Sequence, residues 1–231
     1  MILNYDDFVR TVLEKGFTMG GGNSEGIYSV IPWNWNEEPP YETSVAWHTG
    51  DAKTDPWEWR MRVLEERNDI AYAKVFFKKS GFISKEWYPY FWVARRGNKS
   101  FEEMYFEGKL SHFAKRIYDV VEAHDALPSH EIKQIAGFVR EDKSGFERAL
   151  VELQMNMFLT MCGQQQKRSM KGGNYGMPSV IFCTTEKFWG EEMVEKVAEI
   201  DVDFAEEEIW EQVQKVNPAA QEKKIRKFIY G

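Results

Sequence analysis

The stretch Ser111-His-Phe-Ala-Lys-Arg-Ile-Tyr-Asp-Val-Val-Glu-Ala-His124, with the residues that follow it to Thr185, decides the fold. Phe113, Ile117 and Val120 recur at helical spacing and give this helix one apolar face. Ala126-Leu-Pro128 turns the chain. Ser129 then stands where it would cap a short helix through Ile132, Ile135 and Ala136, closed by Gly137. Ser144-Gly-Phe-Glu147 has capping-box spacing and opens a longer helix with Phe146, Leu150, Leu153 and Met157 in its buried stripe. A strand from Leu159 to Cys162, a polar tip from Gln164 to Tyr175 and a return strand from Val180 to Thr184 complete the run. Helix, short helix, longer helix and hairpin is the order of a winged helix-turn-helix, expected over residues 110–185.

Charge decides where such a module could meet DNA. The chain carries net charge −7, so any grip on phosphates must come from a local patch. The longer helix, Gly145 to Phe158, holds Arg148 against Glu147 and Glu152, net −1. The hairpin tip holds Lys167, Arg168 and Lys171 with no acid, net +3. Its glycines would let backbone approach a duplex closely. The nucleic-acid contacts expected are therefore Lys167, Arg168, Lys171 and Arg148.

Upstream, Tyr5 to Lys15 has helical spacing, and Gly16 is placed to end that helix. The glycine-rich run Met19 to Gly26 lacks the spacing of a phosphate loop and reads as a turn. Ile27 to Trp35 reads as a strand. Asp55-Pro56 is a helix start, with Asp55 as N-cap and Pro56 at the first helical position. Ile70 to Phe77 reads as a strand or a short helix, interrupted at Gly81. Ser84 is expected to cap a helix from Trp87 to Ala94, and Ser100 to Glu103 forms a capping box. Downstream, Glu186 to Gly231 reads as two helices split near Asn217-Pro218, with 12 acids and 7 bases.

Hydrophobic residues make up 43% of the chain and aromatics 15%, enough for a substantial core. Cys162 and Cys183 are too few for a disulfide framework and read as buried thiols in a reducing compartment. No signal-peptide pattern or membrane-length apolar run is found, so a cytoplasmic protein is expected. His112, His124 and His130 lack the spacing of helical metal ligands; neither a metal nor a cofactor is expected. The expected fold is α+β and α-rich. An aromatic-rich region (1–109) packs on a winged helix (110–185), followed by a helical extension (186–231).

Trp47-His-Thr-Gly-Asp51, Asp55-Pro-Trp-Glu-Trp-Arg60, Trp87-Tyr-Pro-Tyr-Phe91 and Arg95-Arg96 together resemble the AlkZ-related proteins, bacterial relatives of the winged-helix DNA glycosylases. The resemblance covers roughly Tyr5 to Trp189. It implies winged-helix modules and DNA repair by cleavage of an N-glycosidic bond. It also implies an early Gln-x-Gln or Gln-x-Asp motif that positions water, and here the sequence departs: its first glutamine is Gln134. The Gln-x-Gln it does have is Gln164 with Gln166, on the hairpin, where a regular strand would put both side chains on one face.

Glycosidic hydrolysis needs a group that stabilises an oxocarbenium-like sugar and a group that activates water, roles that carboxylates fill. His48, Asp51 and Asp55 form a tight cluster beside Trp47, Trp57, Trp59 and Arg60. The catalytic candidates are therefore Asp51, Asp55, His48, Gln164 and Gln166, with Trp47, Trp57, Trp59 and Arg60 as a base-stacking pocket. Double-stranded DNA is the expected partner. Two rival readings are a non-catalytic winged-helix binding or regulatory protein, and a protein- or small-ligand-interaction protein that uses the tryptophan-rich region.

Overall fold

The computed structural model describes residues 1–21, 23–31, 44–167, 173–174 and 176–231. Among them the chain is α+β, about 51% helix, with one antiparallel six-stranded sheet. The first part runs α1 (Tyr5–Lys15), β1 (Phe17–Met19), α2 (Pro56–Glu66), β2 (Ile70–Phe76), β3 (Lys79–Ser84), α3 (Tyr88–Arg96) and α4 (Phe101–Phe106). Then come α5 (His112–Glu122), β4 (Leu127–Pro128), α6 (Ser129–Ile135), a 3-10 turn (Arg140–Asp142), α7 (Lys143–Met155), β5 (Leu159–Gln165) and β6 (Ser179–Thr184). The chain closes with α8 (Thr185–Trp189), α9 (Glu191–Ala198), α10 (Val202–Val216) and α11 (Glu222–Tyr230).

Several of these elements start and stop for local reasons. The Asn4 side chain accepts from Asp7 N, Asp6 and Asp7 sit in the first turn of α1, and Gly16 ends it at φ 86°. Ser100 and Glu103 make the expected reciprocal capping box. Ser144 is not a cap: α7 already begins at Lys143, and Asp142 instead accepts from Val139 N at 3.0 Å. Ser84 does not cap α3 either; it ends β3, buried. Ile27 to Ile31 forms turns and bends rather than a strand, and 32–35 lie outside the described residues.

The sheet order is β1-β3-β2-β5-β6-β4. Alternation along β2 sends Ile70 and Tyr72 to one core, with Phe8, Trp59, Phe82, Ile117 and Leu153. It sends Ala71, Ala73 and Val75 to a second core, with Phe17, Phe91, Ile209 and Phe228. A strand buried on both faces reads as a continuous apolar run, and that is why 70–77 carries no clear period. β3 passes through Gly81, the expected interruption. A Cβ there would stand 2.3 Å from the Phe76 ring, so the bare backbone is what lets the two strands close.

The sheet also runs across position 110. Tyr72 pairs with Met161, joining β2 to β5. Buried Gln154 adds a second tie: its Oε1 accepts from Lys74 N at 2.9 Å while its Nε2 donates to Leu150 O at 2.7 Å. Helices α5 and α7 approach closely at Gly145, where a Cβ would meet the Phe113 ring at 2.3 Å. The 186–231 extension forms α8 to α11 rather than two helices; Asn217 does end α10. Cys183 is buried, Cys162 half-buried at a bulge in β5, and both thiols are free. No helix among the described residues is long and apolar enough to cross a membrane.

Candidate functional site

The carboxylate of Asp55 organises the start of α2. It is fully buried and accepts from three backbone N–H groups: His48 at 3.0 Å, Gly50 at 2.8 Å and Trp57 at 2.8 Å. The third is the N-cap bond expected from the sequence. The first two fold residues 48–54 back over the helix start, with His48 at φ 61° and Gly50 at φ 75°. Asp55 therefore serves as the anchor of a loop.

Asp51 closes the same loop from its exposed side, accepting from Lys53 N at 3.0 Å and Thr54 Oγ1 at 2.7 Å. Those two donors, the Lys53 backbone first, hold its carboxyl below the usual range, so it is ionised at neutral pH. Such a group suits stabilising positive charge rather than donating a proton.

The two tryptophans of Trp57-Glu-Trp59 part company here. Trp59 has no exposure; it stacks on Phe8 at 5.2 Å and donates from Nε1 to Ala52 O. It walls a shallow recess with Phe82 and Pro56 that has room for about one water, too little for a base. Trp57 is 43% exposed. The Arg60 guanidinium lies 3.3 Å over its ring, and the His48 ring stands 4.9 Å away. Trp47 is half-buried, packed on the first core and seated against Gly21, where a Cβ would meet its indole at 2.1 Å. The structure thus brings His48, Trp57 and Arg60 together, leaves Asp51 exposed on the loop before α2, and buries Asp55 and Trp59.

Gln164 and Gln166 belong to a different element. Gln164 lies exposed on β5 opposite Val180, and Gln166, just past the strand, donates to Gly176 O at 2.9 Å. Lys167 is half-buried beside them, whereas Arg168 and Lys171 lie outside the described residues. On α7, Arg148 is exposed. Glu152 is engaged elsewhere, accepting from Ser111 N at 2.9 Å and Ser111 Oγ at 2.5 Å at the start of α5. One of the two acids counted against this helix is therefore turned away from its outer face.

Arg95 and Arg96 at the end of α3 carried no role in the sequence reading. Arg95 donates to Met155 O (2.8 Å), Ile229 O (2.8 Å) and Phe228 O (3.0 Å), the ends of α7 and α11. A cation there meets the negative ends of two helices. Burial pushes its pKa down, to about 9, which leaves it charged at neutral pH. Arg96 bonds Glu186 at 2.8 Å and lies over the rings of Trp92 and Phe158, at 3.8 and 4.2 Å. Two adjacent arginines closing an apolar helix were the available signal, but nothing local says that both turn inward.

No curated protein and no solved structure matches the chain. A family model described as AlkZ related matches residues 2–230. The chain belongs to the AlkZ-related family.

Proposed function

We propose that this protein binds DNA through a winged helix-turn-helix formed by α5 to β6 and acts in DNA repair as a glycosylase-like relative. The observation that carries the reading is topological. The order α5, β4, α6, α7, β5, β6, with β6 between β5 and β4, is the arrangement in which a helix-turn-helix is followed by a β-hairpin wing. Family membership over 2–230 points the same way, toward damaged DNA. In this reading α7 presents Arg148 to the groove, and Lys167, with Arg168 and Lys171 that follow it in the sequence, meets phosphates.

The damaged base is handled at the start of α2. Trp57, backed by Arg60 and flanked by His48, offers an exposed ring on which an extruded base can stack. Asp51, held ionised, stands five residues before the first residue of the helix, to stabilise an oxocarbenium-like sugar. A second reading, a non-catalytic DNA-binding module, is favoured by one fact: the buried Asp55 is already committed to three N–H donors.

One experiment separates the two. An alkylated duplex is incubated with the protein and assayed for alkali-labile abasic sites, with binding followed by anisotropy over a salt series. Base release that disappears in Asp51→Asn supports the glycosylase reading. Salt-sensitive binding without base release supports the binding module. Neither signal overturns both and turns attention to a protein or small-molecule partner.

A further inference from the structure

Five lysines distant in sequence meet at one end of the sheet. Phe77 and Lys78 form the β2–β3 turn, both at positive φ, 51° and 62°. Phe77 packs toward Phe228 on α11, and the ammonium groups of Lys224 and Lys227 stand 5.4 and 5.8 Å from its ring. Lys223, four residues before Lys227, shares that face of the helix. Lys79 pairs with Glu25, which Lys224 also approaches at 3.5 Å.

Lys79 and Lys224 thus share the Glu25 carboxylate, and with Lys78 on the same turn and Lys223 and Lys227 on α11 the five lysines and Glu25 sum to +4, on a chain of net −7. Among the described residues no carboxylate lies within 4.0 Å of the ammonium of Lys78, Lys223 or Lys227. Arg226 belongs elsewhere, paired with Glu222 at 2.8 Å and turned to Trp210. Clustered unpaired ammonium groups repel one another unless an anion lies across them. Lysines on a convex turn and an exposed helix face suit a line of backbone phosphates, which they meet without reading sequence.

We infer that the β2–β3 turn and α11 form a second phosphate-contacting surface for duplex DNA, separate from the wing. The inference rests on the DNA-binding reading above. The Tyr72–Met161 register puts this turn and the end of β5 at opposite ends of the sheet, roughly 30 Å apart at 3.3 Å per residue. At that separation the two surfaces contribute independently.

The test is the salt dependence of binding to an undamaged duplex, measured by anisotropy with the full chain and with the variant Lys78→Asn/Lys223→Ala/Lys227→Ala. Asparagine is chosen at 78 because it tolerates positive φ. All three side chains are exposed, and an unchanged melting temperature verifies the fold. Each phosphate contact contributes about 0.9 to the log–log slope, so the variant is expected to lose about 2 to 3 units of slope and at least tenfold in low-salt affinity. Lys196→Ala, a lone exposed cation on α9, should change the slope by less than one unit. If the parent binds and the variant keeps its slope, this surface is refuted while the DNA reading stands. If the parent binds no duplex even at low salt, both fall.

Discussion

Arginine meets aromatic ring at the start of α2 and at the end of α3, with opposite outcomes. Arg60, half-buried, lies on Trp57, which is exposed. Arg95 and Arg96 lie beside Phe91 and Trp92 and turn inward, Arg95 onto carbonyls and Arg96 onto rings and the Glu186 carboxylate. The residues through which the chain resembles its family therefore divide in two. Arg95 ties helix ends together at α3, whereas Trp57 at the start of α2 stays 43% exposed. Residue type does not separate the groups; the partners of each guanidinium do.

The largest effect is expected from Arg95→Met. It keeps much of the apolar stem but strips Met155 O, Phe228 O and Ile229 O of their donor, and should cost about 3 kcal/mol or more, read from the urea midpoint. An unchanged midpoint would break the contrast with α2. Next comes Asp55→Ala, which unseats the 48–54 loop and should cost about 2 kcal/mol. Asp55→Asn should recover only part of that loss: its one oxygen can still accept from His48 N and Trp57 N, but its amide NH2 then faces the Gly50 N–H donor. A collapse of activity with stability retained in Asp55→Asn would move Asp55 from anchor to catalyst. The smallest effect on stability, within about 0.5 kcal/mol, is expected from Trp57→Ala. The same change should weaken binding to a duplex carrying an unpaired base by about 1–3 kcal/mol, measured by anisotropy. Equal losses on perfect and interrupted duplexes would remove the stacking role.

How much of this could be read in advance depended on how local the cause was. Asn4 and Gly16 around α1, Asp55-Pro56 before α2 and the Ser100 box act within four residues, and each element appears where those residues put it. β3 did not, because Gly81 looks like a break until the Phe76 ring is seen opposite it. The two-residue β4 has too few positions to show a period. At the candidate site, Trp57 and Trp59 are two apart in one helix and alike in sequence; only the packing of α1 on α2 buries one and leaves the other. The buried role of Gln154 has no local cause, because its partner, Lys74 N, lies 80 positions away. The lysine surface joins residues some 145 positions apart, a link no local pattern contains.

The place of β2 in the sheet has a bearing on how the protein can be divided. β5 is an interior strand only because β2, from the first half of the chain, lies along it. A fragment holding 110–185 alone would present β5 as a bare edge, with Met161 and Leu159 uncovered and Gln154 facing water. Unprotected edges recruit other strands, so such a fragment should pair with copies of itself and precipitate. The N-terminal half thus covers the edge that the second half would otherwise expose.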